Sequence, residues 1–181
     1  MIPADRFVLR PYVHSDAAEM SAAVRESTES VGRWMSWARA DFGEYDAACW
    51  FDRCSQFRAA GTAHEFGIFD LDGKFVGGCG LNQFCMANKL CNLGYWVRRS
   101  RQRHGAATAA VLALRKLGLD RLGLARIEIV VAVDNVASIG VAQKAGAAHE
   151  CIAKNRLQVH GRPTSAHVFA FTAETEHSLC A

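Results

Sequence analysis

The feature that most constrains the fold of this chain is a turn of small residues, 102–107, between a strand-like and a helix-like segment. Residues 93–97 before it are typical of a strand, and the alanine-rich residues 108–122 after it have the apolar spacing of a helix. The next segment, 127–133, is the most β-prone of the chain. Because a helix of this length separates the two strands, the pattern predicts a right-handed crossover between parallel neighbours.

The same turn has the features of a phosphate-binding site. The first N–H groups of a helix have no intrahelical partner, and the helix dipole makes that end positive. Gly105 would let a ligand approach the backbone, while Ala106 and Ala107 add little bulk. Positive charge surrounds the turn, from Arg98, Arg99, Arg101 and Arg103. Taken alone, such a turn is more often ordinary loop chemistry, so its meaning depends on the rest of the chain.

Three residues of the turn form a motif. Gln102, Gly105 and Ala107 give the pattern Gln-x-x-Gly-x-Ala, shortly after the Gly-Tyr-Trp of residues 94–96. This pattern resembles the acetyl-CoA signature of the GCN5-related N-acetyltransferase (GNAT) superfamily. The resemblance implies that the turn binds the pyrophosphate of acetyl-CoA, which would be the cosubstrate.

Two further segments agree with this resemblance. One contains Asn135, Ser138 and the Lys-Ala-Gly-Ala of residues 144–147, after an apolar strand that opens at residue 126. The other, Trp-Met-Ser-Trp at residues 34–37, resembles the Trp-Leu-x-Trp segment of the RimJ/RimL type, which acetylates protein N-termini. The chain is therefore identified as RimJ/RimL-like over about residues 7–171, nearly its whole length.

The resemblance implies the GNAT fold, of the α/β (α+β) class. We expect a mixed, mostly antiparallel sheet of about seven strands, splayed at its central parallel pair and flanked by about four helices. The 181 residues suffice for one domain with a substantial core. We expect a single N-acetyltransferase domain over residues 1–181, with its core at about 7–172 and a frayed tail at 173–181.

The resemblance also assigns donor-binding residues. Trp96 and Val97 would pair with the pantetheine arm, and the amides of residues 103–108 would hold the pyrophosphate. The N–H of Val97 would lie near the thioester carbonyl, where it could stabilise an oxyanion. The predicted donor-binding residues are Trp96, Val97, Gln102, Arg103, His104, Gly105, Ala106, Ala107, Thr108, Asn135 and Ser138.

Two hydroxyl groups are candidate catalytic acids. In the subgroup a serine at the position of Ser138 is proposed to protonate the departing thiolate, whereas a tyrosine often has this role in the wider superfamily. Tyr95 lies near the expected cleft. Both residues also have structural explanations, Ser138 as an ordinary helix serine and Tyr95 as a packing residue.

The catalytic base is less defined by the sequence. Glu128 lies within an otherwise apolar strand, so it is either on a solvated face or functional, and we include it among the catalytic residues. Alternative bases are Glu65, Glu150, His64 and His149. The subgroup often has an acidic residue near Leu157, and residues 155–157 supply none. An α-amine with a pKa of about 7.7–8.0 needs only modest help with proton transfer.

The remaining predictions concern local structure on the acceptor side. Residues 31–37 are expected to form a short helix with Trp34 and Trp37 on one face. These tryptophans either pack in the core or line a substrate groove, and we include them as candidate substrate-binding residues. Asp46 is expected to cap a second helix that runs to about Ala60.

Three functions are compatible with these motifs. The first is acetyl transfer to the N-terminal amine of a protein or peptide, such as a ribosomal protein, by direct attack in a ternary complex. The second keeps the chemistry but uses a small amine: an amino acid, polyamine, aminoacyl-nucleotide or antibiotic. The third is a non-catalytic acyl-CoA-binding regulator.

Composition excludes several other classes. A net charge of +3 does not favour nucleic acid as a partner, and no apolar run suggests a signal peptide or a membrane span. The seven cysteines include no Cys-x-x-Cys pair and no zinc-like spacing, so we expect reduced thiols, a cytoplasmic protein and no metal. A homodimer is compatible with the resemblance, because dimers are frequent in the subgroup.

Overall fold

The computed structural model describes residues 1–172, and both the predicted tail at 173–181 and Cys180 lie outside the described residues. Eight strands within these residues form one sheet in the order β1-β2-β3-β4-β5-β6-β8-β7. The strands are β1 (Ile2–Ala4), β2 (Phe7–Arg10), β3 (His64–Asp70), β4 (Phe75–Cys85), β5 (Leu90–Val97), β6 (Arg126–Ala132), β7 (Ala148–Val159) and β8 (Arg162–Thr172). The predicted fold class is confirmed, with eight strands rather than about seven. The additional strand is β1, which pairs antiparallel with β2.

Four α-helices cover the two faces of the sheet: α1 (Ala17–Arg25), α2 (Glu44–Ala60), α3 (Ala106–Lys116) and α4 (Val136–Lys144). Helix α3 buries Ala106, Ala110, Val111 and Leu114 because residues four apart share one side of a helix. It packs with β5 and β6 on one face, and α1 and α2 pack on the other. None of the described helices has the length and apolar character needed to cross a membrane.

One local prediction is wrong, and a second is correct only in part. Residues 31–37 form turns rather than a helix, and Gly32 lies so close to the carbonyl oxygens of Thr28 and Ala38 that a side chain there would overlap both. Such a short segment cannot sustain a helix alone. Asp46 is not the N-cap of α2, which begins at Glu44. Instead, its carboxylate accepts a hydrogen bond of 2.8 Å from the N–H of Gly43, from within the first turn.

The parallel pair at the centre of the sheet is short. Strands β5 and β6 are in register only at Leu90↔Arg126, Cys91↔Ile127 and Asn92↔Glu128. Beyond these pairs β5 continues along β4 and β6 continues along β8. The parallel pairing that the sequence predicts is therefore confirmed, and residues 93–97 border an open gap between the two strands.

Candidate active site

The loop that leaves β5 is anchored to the end of α1 by Glu26. Arg98 donates two hydrogen bonds to this carboxylate, from Nη2 at 2.6 Å and from Nε at 3.0 Å. Ser100 adds bonds from its hydroxyl at 2.7 Å and its N–H at 3.1 Å. The hydrogen bonds from Arg98 lower the pKa of Glu26 to about 2. These contacts fix the position from which the chain enters the turn.

The turn itself has the geometry expected of an anion site. Arg103 has a φ of 64° and Gly105 a φ of 87°, so both adopt the left-handed conformation. The first hydrogen bond of α3 runs from the N–H of Ala109 to the oxygen of Gly105, at 3.0 Å. The N–H groups of residues 106–108 precede this bond and have no partner within the helix. They are available to an anion at the positive end of α3.

The arginines around the turn have different tasks. Arg98 pairs with Glu26, Arg99 with Glu29 and Arg101 with Asp70, so these three charges are already balanced. Within residues 1–172, Arg103 has no ion pair. Three of the four arginines therefore hold the loop, and the side chain of Arg103 is the one left to face an anion.

Gln102 shapes the gap rather than pointing into solvent. Its amide donates to the oxygen of Val97 at 3.1 Å and to the hydroxyl of Ser30 at 3.3 Å. The N–H of Arg98 bonds to β4, at the oxygen of Val76, over 2.9 Å. Since successive N–H groups of a strand point to opposite neighbours, the N–H of Val97 points away from β4 and into the gap.

The structure brings three predicted residues together beside the gap. The phenol oxygen of Tyr95 lies 2.8 Å from Oγ of Ser138 and 3.1 Å from its backbone oxygen. Asn135 caps α4 by accepting the N–H of Ser138 at 3.2 Å. Burial raises the pKa of Tyr95 to about 12, so the phenol keeps its proton at neutral pH. The pair can therefore supply a proton at this point.

Glu128 is not part of this group. Glu128 pairs in register with Asn92, so these two side chains share one face of the sheet. Tyr95 is three residues further along β5, so its side chain lies on the opposite face. Its carboxylate is bound by Arg126 Nε at 2.9 Å and faces Arg156 at 3.5 Å. These two guanidinium groups explain how a carboxylate is tolerated within an apolar strand.

A cavity of about 370 Å³ lies on the face of the sheet that α1 and α2 cover, and Tyr95 is also among its lining residues. Its walls are mainly aromatic and thioether side chains, from Tyr12, Met20, Met35, Trp37, Trp50 and Trp96. Trp37 and Trp96 meet edge to face with 5.4 Å between ring centres. Trp34 instead lies beside Arg33, whose guanidinium is 4.9 Å from its ring centre, and it does not line the cavity.

Glycines form much of the cavity floor. Gly78 lies in β4 and Gly94 in β5, and both line the cavity. A Cβ on Gly78 would lie 2.6 Å from both Nε1 of Trp96 and the hydroxyl of Tyr12. The sequence alone could not indicate this floor, because it exists only once β4 and β5 are paired.

One acidic group lies in the cavity, Glu65 on β3. It is 9% exposed, and its Oε1 accepts a hydrogen bond of 3.0 Å from the amide of Asn82. Burial raises its pKa above the ordinary value, and Asn82 and Arg58 oppose that shift. Of the alternative bases, Glu150 instead pairs with Arg126 and His149 with His167. Among residues 1–172, no three His, Cys, Asp or Glu side chains are placed to share a metal ion.

Comparison with known proteins agrees with this arrangement. The family model described as "Acetyltransferase (GNAT) domain" matches residues 6–148. YdaF of Bacillus subtilis (strain 168), named as a ribosomal N-acetyltransferase, is 25% identical over 159 residues, covering 87% of this chain and 86% of its own.

Solved structures give the same result. A Vibrio cholerae protein described as a ribosomal-protein-serine acetyltransferase is 30% identical, with a TM-score of 0.83 and coverage of 94% of this chain and 96% of its own. Mycobacterium smegmatis RimJ in complex with CoA-disulfide is 28% identical, with a TM-score of 0.86 and coverage of 98% and 90%. The chain therefore belongs to the GNAT acetyltransferase family, with relatives of the RimJ/RimL type.

Proposed function

We propose that this enzyme transfers an acetyl group from acetyl-CoA to the N-terminal α-amine of a protein, by direct attack in a ternary complex. The observation that carries the proposal is the convergence on one gap in the sheet. The anion-binding turn of α3, the N–H of Val97 and the Tyr95–Ser138 hydroxyl pair all border this gap. The aromatic cavity lies on the other face of β5 and provides a separate place for the acceptor.

The residues around the gap fit the donor. The N–H groups of residues 106–108 and the side chain of Arg103 suit a pyrophosphate. The edge of β5 that β6 leaves unpaired offers backbone groups to an extended amide-containing chain such as pantetheine. When bound, acetyl-CoA supplies an activated thioester carbonyl. Of the predicted donor-binding residues, Gln102 and Asn135 would act by positioning, through Val97 and Ser138.

The hydroxyl pair provides the proton that the leaving sulfur requires. Ser138 Oγ and the Tyr95 phenol are 2.8 Å apart, so a proton given by either can be replaced from the other. The N–H of Val97 is placed to donate a hydrogen bond to the carbonyl oxygen as negative charge develops there. The remaining requirement is an amine in its neutral form, held on the opposite side of β5.

The acceptor is inferred from the relatives and from the chemistry of amines. YdaF, the Vibrio cholerae protein and RimJ carry names that refer to ribosomal proteins or to this subgroup. An α-amine with a pKa near 7.7–8.0 is partly neutral at physiological pH, whereas a lysine near 10.4 is not. A ribosomal-protein acceptor would place the reaction in the cytoplasm.

The proposal is tested by an acceptor screen that measures thiol release from acetyl-CoA. The panel contains peptides with free N-termini, the same peptides with blocked N-termini, and small amines. We expect release with free peptides and none with blocked ones. Release with small amines alone would exclude a protein acceptor, and tight donor binding without release would favour the regulator.

A small amine is the second candidate because of the cavity's size. About 370 Å³ lies in the range typical of small-molecule sites. The cavity would hold a compact amine completely, whereas a peptide would place only its first residue there. The same screen separates the two, since a compact amine would then have the higher kcat/KM.

A further inference from the structure

We propose that the carboxylate of Glu65, lying over Gly80 in the aromatic cavity, binds the ammonium group of the acceptor and takes its proton before acetyl transfer. This assignment rests on the proposed function and adds the base that it lacks. It selects Glu65 over Glu128, which two arginines already bind. It also defines the acceptor as a molecule whose ammonium group lies next to an apolar side chain.

A row of paired residues across three strands joins Glu65 to the gap. Glu65 pairs in register with Gly80, and Gly80 pairs with Gly94 on β5. A Cβ on Gly80 would overlap the Glu65 carboxylate, so the carboxylate can lie over β4 only because glycine is there. Neighbouring strands are about 4.8 Å apart, so an amine above Gly94 could reach Glu65 directly or through one water.

The Glu65 carboxylate uses only part of its capacity to accept hydrogen bonds. Oε1 accepts a single hydrogen bond, from Asn82 at 3.0 Å, and Oε2 has no hydrogen-bond partner among residues 1–172. The nearby guanidinium of Arg58 donates to the backbone oxygen of Glu65 instead of to its carboxylate. A buried carboxylate without an ion pair is costly, and an ammonium ligand would remove that cost.

The groups that face Glu65 from each neighbouring element explain its proton affinity. Arg53 and Arg58 come from α2, with the first at the cavity and the second at the backbone. The neutral groups are the thiols of Cys54 and Cys79 and the phenol of Tyr12, all with a raised pKa from burial. Burial outweighs the hydrogen bond from Asn82 and the charge of Arg58, and it raises the pKa of Glu65, which strengthens this carboxylate as a base.

Aromatic side chains line the cavity around the Glu65 carboxylate. Tyr12, Trp37, Trp50 and Trp96 all line the same cavity as Glu65. The faces of aromatic rings attract an ammonium group that lies over them, because the ring face carries negative charge. They also accommodate an apolar first side chain, so the cavity suits the cationic end of a chain that begins with an apolar residue.

Each proton in the proposed reaction has a donor and an acceptor. The acceptor ammonium gives one proton to Glu65, and its freed lone pair forms the C–N bond while the C–S bond breaks. The Tyr95–Ser138 pair gives a proton to the departing sulfur. The second proton leaves the new amide nitrogen and returns to the hydroxyl pair through solvent, and Glu65 releases its own proton with the products. No oxidant, reductant or additional reactant is needed.

The test is Glu65→Gln, which keeps the shape and the acceptor atom for Asn82 but removes the charge. With a free α-amine peptide at pH 7, we expect kcat/KM to fall by about 100-fold or more. The acetyl-CoA KM should stay within about twofold, because that site lies across the sheet. The matched control is Glu44→Gln, at the exposed start of α2, which should behave as wild type.

The pH dependence of kcat/KM distinguishes a base from a residue with a purely structural role. Loss of the base should steepen the rise of kcat/KM with pH, so that Glu65→Gln recovers partly where the free amine is abundant. The same variant should lose at least tenfold in affinity for the peptide amine when coenzyme A replaces acetyl-CoA, measured by calorimetry. If Glu65→Gln has the same kcat/KM, pH profile and peptide affinity as wild type, the assignment of Glu65 is overturned and the proposed function remains intact. Absence of thiol release by wild type with every amine would overturn both.

Discussion

At the scale of single residues, the proposed mechanism depends on two hydroxyl groups that keep their protons at neutral pH. Tyr95 has a pKa of about 12 because it is buried, and its oxygen lies 2.8 Å from Ser138 Oγ. Neither group is a nucleophile at neutral pH, so both are suited to donate rather than to attack. In the proposed mechanism the base is therefore a separate group, which we assign to Glu65.

We expect Ser138→Ala to reduce kcat by about 10- to 100-fold, because one member of the proton-donating pair is lost. The acetyl-CoA KM should change less than threefold, since Asn135 still caps α4 through the backbone N–H of residue 138. Steady-state kinetics of thiol release provide the measurement. Tyr95→Phe is the companion variant, and full activity in both would remove the pair from the mechanism.

Residues were predicted unevenly from the sequence, for physical reasons. Ser138, Asn135 and Gly105 belong to local motifs, and the structure places all three at the turn or beside the gap. The role of Arg98 was not predictable, because its partner Glu26 is 72 positions away along the chain. Glu65 was one of several carboxylates until strand pairing placed it over Gly80.

At the scale of elements, the β5–α3 connection is a rigid part held from both ends. Its first half is bound to the end of α1 by Glu26, and its second half has the left-handed residues that start α3. The short strand–turn–helix pattern was predictable because it is local. The turns at residues 31–37 were not, because the fold at Gly32 depends on contacts with residues 28 and 38.

We expect Gly105→Val to raise the acetyl-CoA KM by at least tenfold. The φ of 87° at this position disfavours a branched side chain by about 1–2 kcal/mol, so the turn must change its conformation. Gly61→Val is the matched control, since Gly61 has a φ of 68°, open space around it and a position at the end of α2. Equal KM changes in the two variants would contradict the anion-site assignment.

We expect Glu26→Gln to lower the free energy of unfolding at pH 7 by about 1–3 kcal/mol, because charge-assisted hydrogen bonds are lost. The pKa of Glu26 falls from the ordinary 4.5 to about 2 on folding, so folding favours its ionised form. Its contribution is therefore complete above pH 4.5 and disappears as the pH falls towards 2. Urea unfolding across this range should show wild type and variant converging at low pH.

A control for charge removal alone is Glu29→Gln. Glu29 pairs with Arg99 on the same loop, but its side chain is 78% exposed. Exposed pairs contribute little, so its unfolding free energy should stay within about 0.5 kcal/mol of wild type. A constant difference between wild type and Glu26→Gln at every pH would contradict the anchoring role.

At the scale of the whole molecule, the resemblance to the GNAT superfamily was sufficient to predict the class of the fold, and the helix between two strand-like segments was sufficient to predict the parallel pair. The resemblance predicted one strand too few, since β1 has only three residues, including a proline, and gains its order from β2. The cavity was not predictable, because it combines α1, α2, β3, β4 and β5, whose residues meet only after folding.

The brevity of the β5–β6 pairing has a mechanical consequence. Three register pairs join strands β1–β5 to strands β6–β8, so the sheet has a seam at its centre. A ligand bound in that seam would contact both halves and hold them together. We expect saturating coenzyme A, at about 100 times its Kd, to add about 2.7 kcal/mol of stability. Amide hydrogen exchange should slow on both flanks together, whereas slowing on only one flank would mean that the ligand binds to a single half.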